Sequence, residues 1–278
     1  MAWRYVGARE ADAPLIERLL AVWHHRRLLR RMAERDLRQR YAGAAVGYAW
    51  VAVYPLLLVT FYTAVFALVF RGRLAPGGSP QEYALYVVSG LLPWIAFSEV
   101  ANRSTQAMAE QRSLVKFAVF PVQILPLTAL YAAAITQMVG LAAVLAFAAY
   151  VNGGLSIRVF FLIPLLVLQN LFFAGVAWLL GALGAVLRDV RELVSIGLTV
   201  GMFLTPIFYV AADAPAPLRL VLALNPLTHL MNGYRAALLP AAPSSLESVV
   251  AFSLAAAVAL VGGFWTFERT RVFLADIL

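Results

Sequence analysis

Long apolar runs separated by short polar joints fill the chain from residue 45 onward, and the first 44 residues are rich in charge. Six runs are long enough to read as membrane-crossing helices: Ala45–Phe70, Tyr83–Val100, Ile124–Val151, Val159–Leu187, Leu193–Val210 and Val249–Phe267. The first holds 26 residues without a charge. At about 1.5 Å per helical residue it is about 39 Å long, against a hydrocarbon core of roughly 30 Å. None of the runs alternates apolar with polar residues as barrel strands must, which excludes a closed barrel. The expected fold is an all-α polytopic membrane protein with six transmembrane helices.

Two segments depart from this pattern. Residues 1–44 read as two helical pieces forming an amphipathic interface region, with residues 45–278 as the transmembrane domain. Asp12 and Pro14 signal a helix start, and Leu15, Ile16, Leu19, Leu20 and Trp23 then share one face. In the second piece Leu28, Leu29 and Met32 share a face, beside a separate stripe of Arg27, Arg31, Arg35 and Arg38. That is the pattern of a helix lying in a membrane interface. The other exception is Leu218–Leu239, long enough for a span but interrupted by Arg219, Asn225-Pro226, His229, Asn232 and Arg235. Two short helices split at Asn-Pro, re-entrant or interfacial on the outer face between spans five and six, fit it better than a seventh crossing.

Composition narrows the class further. The chain is 63% hydrophobic and 13% charged, where soluble domains carry about 25% charged residues. The net charge of +8 does not point to nucleic acid, because ten of the 22 basic residues lie in the first 44 positions, next to a span. With the N-terminus inside, 17 basic residues fall on the cytoplasmic side, and Arg71, Arg73, Arg158, Arg219 and Arg235 fall outside. This bias predicts a multi-pass protein with both termini in the cytoplasm. No cleavable signal peptide is visible in the first 44 residues.

The candidate chemistry is sparse. Cysteine is absent, which excludes disulfides and thiolate metal sites. His24, His25 and His229 have no carboxylate at metal-ligand spacing, so no metal site and no catalytic residue is expected. There is no G-x-x-x-x-G-K-[ST], and the one lysine, Lys116, lies in SLVKFAV, so the chain has no P-loop of its own. Glu99, four residues before Arg103, reads as a structural ion pair rather than a proton relay. Aromatic residues form faces on the first span (Trp50, Tyr54 and Phe61; Tyr48, Phe66 and Phe70) and crowd the outer half of the fifth (Phe203, Phe208, Tyr209). They serve either as packing and interface belts or as the wall of a pore. Gly197 and Gly201 form a G-x-x-x-G, a mark of close helix packing.

Several segments together resemble one family. RDLRQRYAGAAVGYAWVAVYPLLL, VKFAVFPVQILPL, LRDVRELV, FLTPIFY and LNPLTHLMNGYR occur in the order found in ABC-2 type permeases that export polysaccharides, O-antigen and teichoic-acid polymers. The resemblance runs from about Arg35 to Phe267, although Ala42 and Ala44 stand where the family often has a basic residue and a serine. It implies a permease homodimer bound to two copies of a separate ABC ATPase subunit, which holds the ATP and Mg. It also implies a lipid-linked polysaccharide substrate and the bacterial inner membrane. In the family, the first and fifth spans of both protomers line the channel, which would place Trp50, Tyr54, Phe61, Phe203, Phe208 and Tyr209 on or near it. ATPase coupling would fall to Arg35, Arg38, Arg112, Lys116, Arg188 and Asp189, and an outer gate to Asn225, Pro226 and Arg235. The competing readings are an exporter of teichoic acid, lipids or small hydrophobic compounds, and a membrane-embedded glycosyltransferase. The last would need catalytic acids and bases that the chain hardly has.

Overall fold

The structure, a computed structural model, describes residues 15–111 apart from 71, 73 and 75–77, residues 121–243 apart from 188, and residues 245–277. Helix is the only regular structure among them. The two predicted N-terminal pieces are α1 (Leu15–His24) and α2 (Arg26–Arg40). The first span is α3 (Trp50–Ala64), led in by a 3-10 turn at Gly47–Ala49 and continued by a π-helical turn at Val65–Phe70. Next come α4 (Pro80–Ser104), the short α5 (Ala107–Glu110), α6 (Leu125–Asn152) and α7 (Leu162–Val186). The chain closes with α8 (Val190–Phe203), α9 (Ala216–Leu224), α10 (Pro226–Leu238) and α11 (Leu246–Ile277).

Local chemistry sets several of these boundaries. Helix α4 opens with a capping box: the Ser79 hydroxyl accepts from the Glu82 amide, and the Glu82 carboxylate accepts from the Ser79 amide. Pro80 fills the first helical position, where its missing N–H costs nothing. Helix α6 stops at Gly153, whose φ of 71° is the left-handed turn that a glycine accommodates.

Five stretches are long and apolar enough to cross a membrane: Gly47–Phe70, Pro80–Ser104, Val122–Asn152, Ile157–Val186 and Leu246–Arg271. They correspond to the first, second, third, fourth and sixth predicted runs. The fifth run differs from expectation. Its helix has 14 residues, about 21 Å, and the chain then turns through residues 204–210 without regular structure. The Thr205 hydroxyl donates to the Gly201 carbonyl and Pro206 has no N–H to give, so the ladder ends here.

Helix α4 is the centre of the bundle, with 72% of its most apolar window buried, against 11% for the Gly47–Phe70 stretch. It packs on α6, α7, α10 and α3. Helices α7 and α11 form the most extensive pair. Gly175 and Gly263 lie at their crossing, where a Cβ on either would run into the backbone of the other helix. A buried polar trio also ties α6, α7 and α10 together. Gln137 and Gln169 exchange bonds at 3.2 and 2.7 Å, Gln137 Nε2 reaches the Tyr234 hydroxyl at 2.9 Å, and that hydroxyl donates to Gln169 Oε1 at 2.7 Å. A saturated network of this kind fixes helix register without leaving an unpaired polar group in the apolar interior.

Candidate functional site

A cleft of about 610 Å3 runs between α3 and α4, with α6 behind it and α8 at one edge. It extends along α4 from Asn102 to Val88, about 21 Å at the rise of a helix. Its wall is mostly apolar and aromatic: Tyr54, Leu58, Val59 and Tyr62 from α3, Leu91, Leu92, Trp94 and Ile95 from α4, and Met202 from α8. Gln137 and Thr136 supply polar groups from α6, and Arg40, Tyr41, Glu99 and Asn102 line one end.

At that end, here called the basic end because α1 and α2 lie there, the cleft residues Arg40 and Glu99 belong to a cluster of four charges. Arg40 of α2 meets Glu99 of α4 at 2.5 Å, and Arg103 of α4 meets Asp36 of α2 at 2.5 Å. Secondary contacts join the same four side chains, Arg40 to Asp36 at 3.6 Å and Arg103 to Glu99 at 3.9 Å. The i,i+4 pair expected within α4 is therefore its weakest contact, and the stronger pairs cross between helices. Burial pushes the Asp36 carboxyl above its ordinary value, against the pull of Arg40. The Glu110 carboxyl is raised too, by burial and then by Asp36 nearby. Helix α2 seats itself through the fully buried Ala33 and Leu37 and holds Arg27, Arg31, Arg35 and Arg38 outward.

The opposite, far end is aromatic. Phe66 stacks on Phe208 at 5.6 Å and on Phe70 at 5.2 Å, with Tyr62 and Tyr83 against the same ring. Side chains hold the irregular segment after α8 in place of backbone bonds. Tyr83 and Tyr86 of α4 donate to the Phe208 and Tyr209 carbonyls, and Arg235 of α10 donates to the Pro206 and Ile207 carbonyls at 2.6 and 3.3 Å. Arg235 is 4% exposed, and its guanidinium lies 3.5 Å from the centre of the Tyr86 ring. Asn225 caps α10 by accepting from the Leu227 amide and donates to Thr205, and Pro226 takes the first helical position.

The residues singled out from sequence separate into groups. Of the six aromatic residues, Tyr54 lines the cleft. Trp50 is half-buried at the start of α3, and Phe61 is exposed, edge-on to Tyr62. Phe203 is exposed at the end of α8, while Phe208 and Tyr209 are half-buried in the segment beyond it. Arg35 and Arg38 line a shallow surface groove on α2 with Arg31 and Glu34. Asp189 precedes α8 without a side-chain cap. Arg112, Lys116 and Arg188 lie outside the described residues. Asn225 and Arg235 each bond to residues 205–207, from opposite parts of α10, and Pro226 starts that helix.

A profile of the ABC-2 type transporter family matches residues 27–239, a range that holds the whole cleft, both its ends and α10. The chain belongs to that family. Among similar proteins is the O-antigen export system permease protein RfbA of Myxococcus xanthus, 26% identical over 264 residues, covering 94% of this chain and 99% of that one. Two O-antigen export system permease proteins RfbA of Klebsiella pneumoniae are each 26% identical over 205 residues, covering 73% of this chain and 77% of theirs. The chain is thus a multi-pass membrane transport subunit rather than an enzyme.

For this permease, sequence reading missed the charge cluster at the basic end. Asp36 and Arg40 are i,i+4 on one helix, a visible spacing. Their partners Glu99 and Arg103 are also i,i+4, on α4, but nothing in the sequence says that the two pairs face each other. Tyr62, Trp94 and Met202 in the cleft were missed because one face of an all-apolar helix reads like any other. A double-mutant cycle on Arg40→Ala and Glu99→Ala should give a coupling of about 1–3 kcal/mol, read from thermal unfolding in detergent. Additive effects of the two substitutions would mean that the pair does not act as a unit.

Proposed function

We propose that this permease is the channel-forming subunit of an ATP-driven exporter that moves a lipid-linked polysaccharide, such as O-antigen, outward across the bacterial inner membrane. The observation that carries the reading is the cleft: a long aromatic and apolar trough, in a chain whose relatives over most of its length are named as O-antigen export permeases. A flexible glycan slides best on such a wall, since aromatic stacking on sugar faces tolerates changes of register.

In this reading the permease works as a homodimer. Helix α3 carries exposed Tyr54, Leu57 and Phe61, and α8 carries exposed Leu193, Ile196, Val200 and Phe203 on one stripe. Two protomers facing each other through these helices would close a shared channel. Helix α8 and residues 204–210 together make the fifth of six crossings, and α9 and α10 are the re-entrant outer gate. The excess of Lys and Arg at the basic end puts it in the cytoplasm with both termini. A separate ABC ATPase, two copies per dimer, supplies the P-loop that is absent here and holds ATP and Mg. It would dock against Arg35, Arg38, Arg112, Lys116, Arg188 and Asp189. In this reading the chain itself binds no cofactor. Coupling then requires two global states between which ATP binding shifts the balance.

The test is export by the complex reconstituted with its ATPase subunit. Tyr54→Ala and Phe61→Ala together should cut polymer export about 10-fold or more, equivalent to about 1.4 kcal/mol on the rate-limiting step. Both side chains are largely exposed in the protomer, so the yield of folded permease should not change. Export at the wild-type rate would sink the aromatic-wall idea. Export of small hydrophobic compounds with no polymer movement would favour that competing reading instead.

A further inference from the structure

Glu268 is the one carboxylate buried among the described residues, its side chain 4% exposed near the basic end of α11. Burying a carboxylate is costly unless it is paired and hydrogen-bonded, and here both oxygens are engaged. Oε2 accepts from Arg18 of α1 at 3.0 Å and faces Arg271 at 3.2 Å, while Oε1 accepts from Gln123 at 3.3 Å. Gln123 lies in the turn Val122–Ile124, immediately after the segment 112–120. Its own carbonyl accepts from Trp178 of α7 at 2.9 Å, and the Trp178 ring packs edge-on against Phe264 of α11 at 4.8 Å.

The apolar residues around this junction form a second core, separate from the one around α4. It buries Met108 of α5, Leu125 and Leu127 of α6, Trp178 and Ala182 of α7, and Phe264 and Phe267 of α11. Leu19 and Val22 of α1 and Leu29 and Met32 of α2 pack onto it. Both flanks of the 112–120 segment, α5 before it and Val122–Ile124 after it, therefore end in the same core as the N-terminal helices. Glu268 is the polar pin through that core.

We propose that Glu268 is a positioning residue that locks α1 and the flanks of the 112–120 segment to α11, so that a displacement of either one moves the same membrane helix. This rests on the ATP-driven reading, in which α2 and residues 112 and 116 meet the ATPase, with α1 packed beside α2 on the shared core. Without the pin the N-terminal helices and the flanks of that segment would shift independently, and force from the partner would dissipate at the surface. Glu268→Gln keeps size and shape and removes the charge that holds Arg18 and Arg271.

Two measurements test it. In the reconstituted complex, Glu268→Gln should leave complex yield and basal ATP hydrolysis unchanged and lower polymer exported per ATP about 5-fold or more, with Glu268→Asp recovering most of the loss. In the permease alone, spin labels at Glu17→Cys and Gln111→Cys should give a narrow distance distribution that broadens in Glu268→Gln. A distribution equally narrow in both proteins overturns the proposal. So does a fall in folded permease at unchanged export per ATP, which is what a purely structural role would produce. If wild type exports nothing with an ATPase, the transport reading falls, while the spin labels still decide whether the pin exists.

Discussion

Replacing Arg235 with alanine should destabilise the far end of the bundle by about 2–4 kcal/mol. Each hydrogen bond from a charged donor is worth about 1.5–3 kcal/mol and a desolvated cation–π contact about 2, less the cost of burying the cation, which the substitution removes. The loss is concentrated because the Pro206 and Ile207 carbonyls belong to a segment with no helical ladder to fall back on. Tyr86 would also lose its partner, although its hydroxyl still reaches the Tyr209 carbonyl at 3.0 Å. Arg235→Lys keeps the charge without the planar fork and should recover only part of the loss. Arg235→Met fills the space and leaves both carbonyls unpaired, so it should resemble alanine. The expected signature is a lower thermal midpoint in detergent together with faster protease cleavage within residues 204–210. A midpoint and cleavage rate matching wild type would show that the tyrosines alone hold the segment.

Gly263→Leu, or Gly175→Leu, should abolish the folded protein outright. A side chain at either position collides with the main chain of the facing helix, and a main chain cannot move aside as a rotamer can. Overpacking against side chains typically costs about 1–3 kcal/mol, and a backbone clash costs more. The association of α7 with α11 depends on this closeness, because lipid offers no hydrophobic drive for helices to pair. Gly262→Leu is the control, since nothing lies within 4 Å of a Cβ there. The readout is the amount of monodisperse permease recovered in detergent. Equal recovery of the Gly262 and Gly263 variants would mean that the helices do not cross so tightly.

What could be read from the sequence followed from how local each cause is. Five of the six apolar runs became membrane-length helices because an apolar run of that length has no other stable state in lipid. The split of Leu218–Leu239 at Asn225-Pro226 was legible for the same reason: Asn caps and Pro starts, whatever lies around them. The fifth run gave a helix shorter than its apolar length, because hydropathy does not register that Thr205-Pro206 ends a helix in the middle of apolar residues. The cleft was half legible. Tyr54 stood out as aromatic, but the choice of Tyr62, Trp94 and Met202 depends on how α3, α4 and α8 are rotated. Least legible was Glu268, whose partners Arg18 and Gln123 are 250 and 145 residues away in the chain. No window along the sequence holds both ends of such a contact.

The central place of α4 has a consequence for how this chain tolerates change. Pro80–Ser104 is the least hydropathic of the five long stretches, at 1.5, and also the most buried, whereas Gly47–Phe70, at 2.1, is the least buried. A water-soluble protein sorts the other way, with its most apolar segment innermost. Here lipid is the solvent that rejects polar atoms, and the interior is where Ser89, Glu99, Asn102 and Arg103 find partners or shelter. Two different rules of substitution follow within one bundle. On α4 added bulk and unpaired polar atoms are both costly, while on a face turned to lipid bulk is tolerated and charge is not.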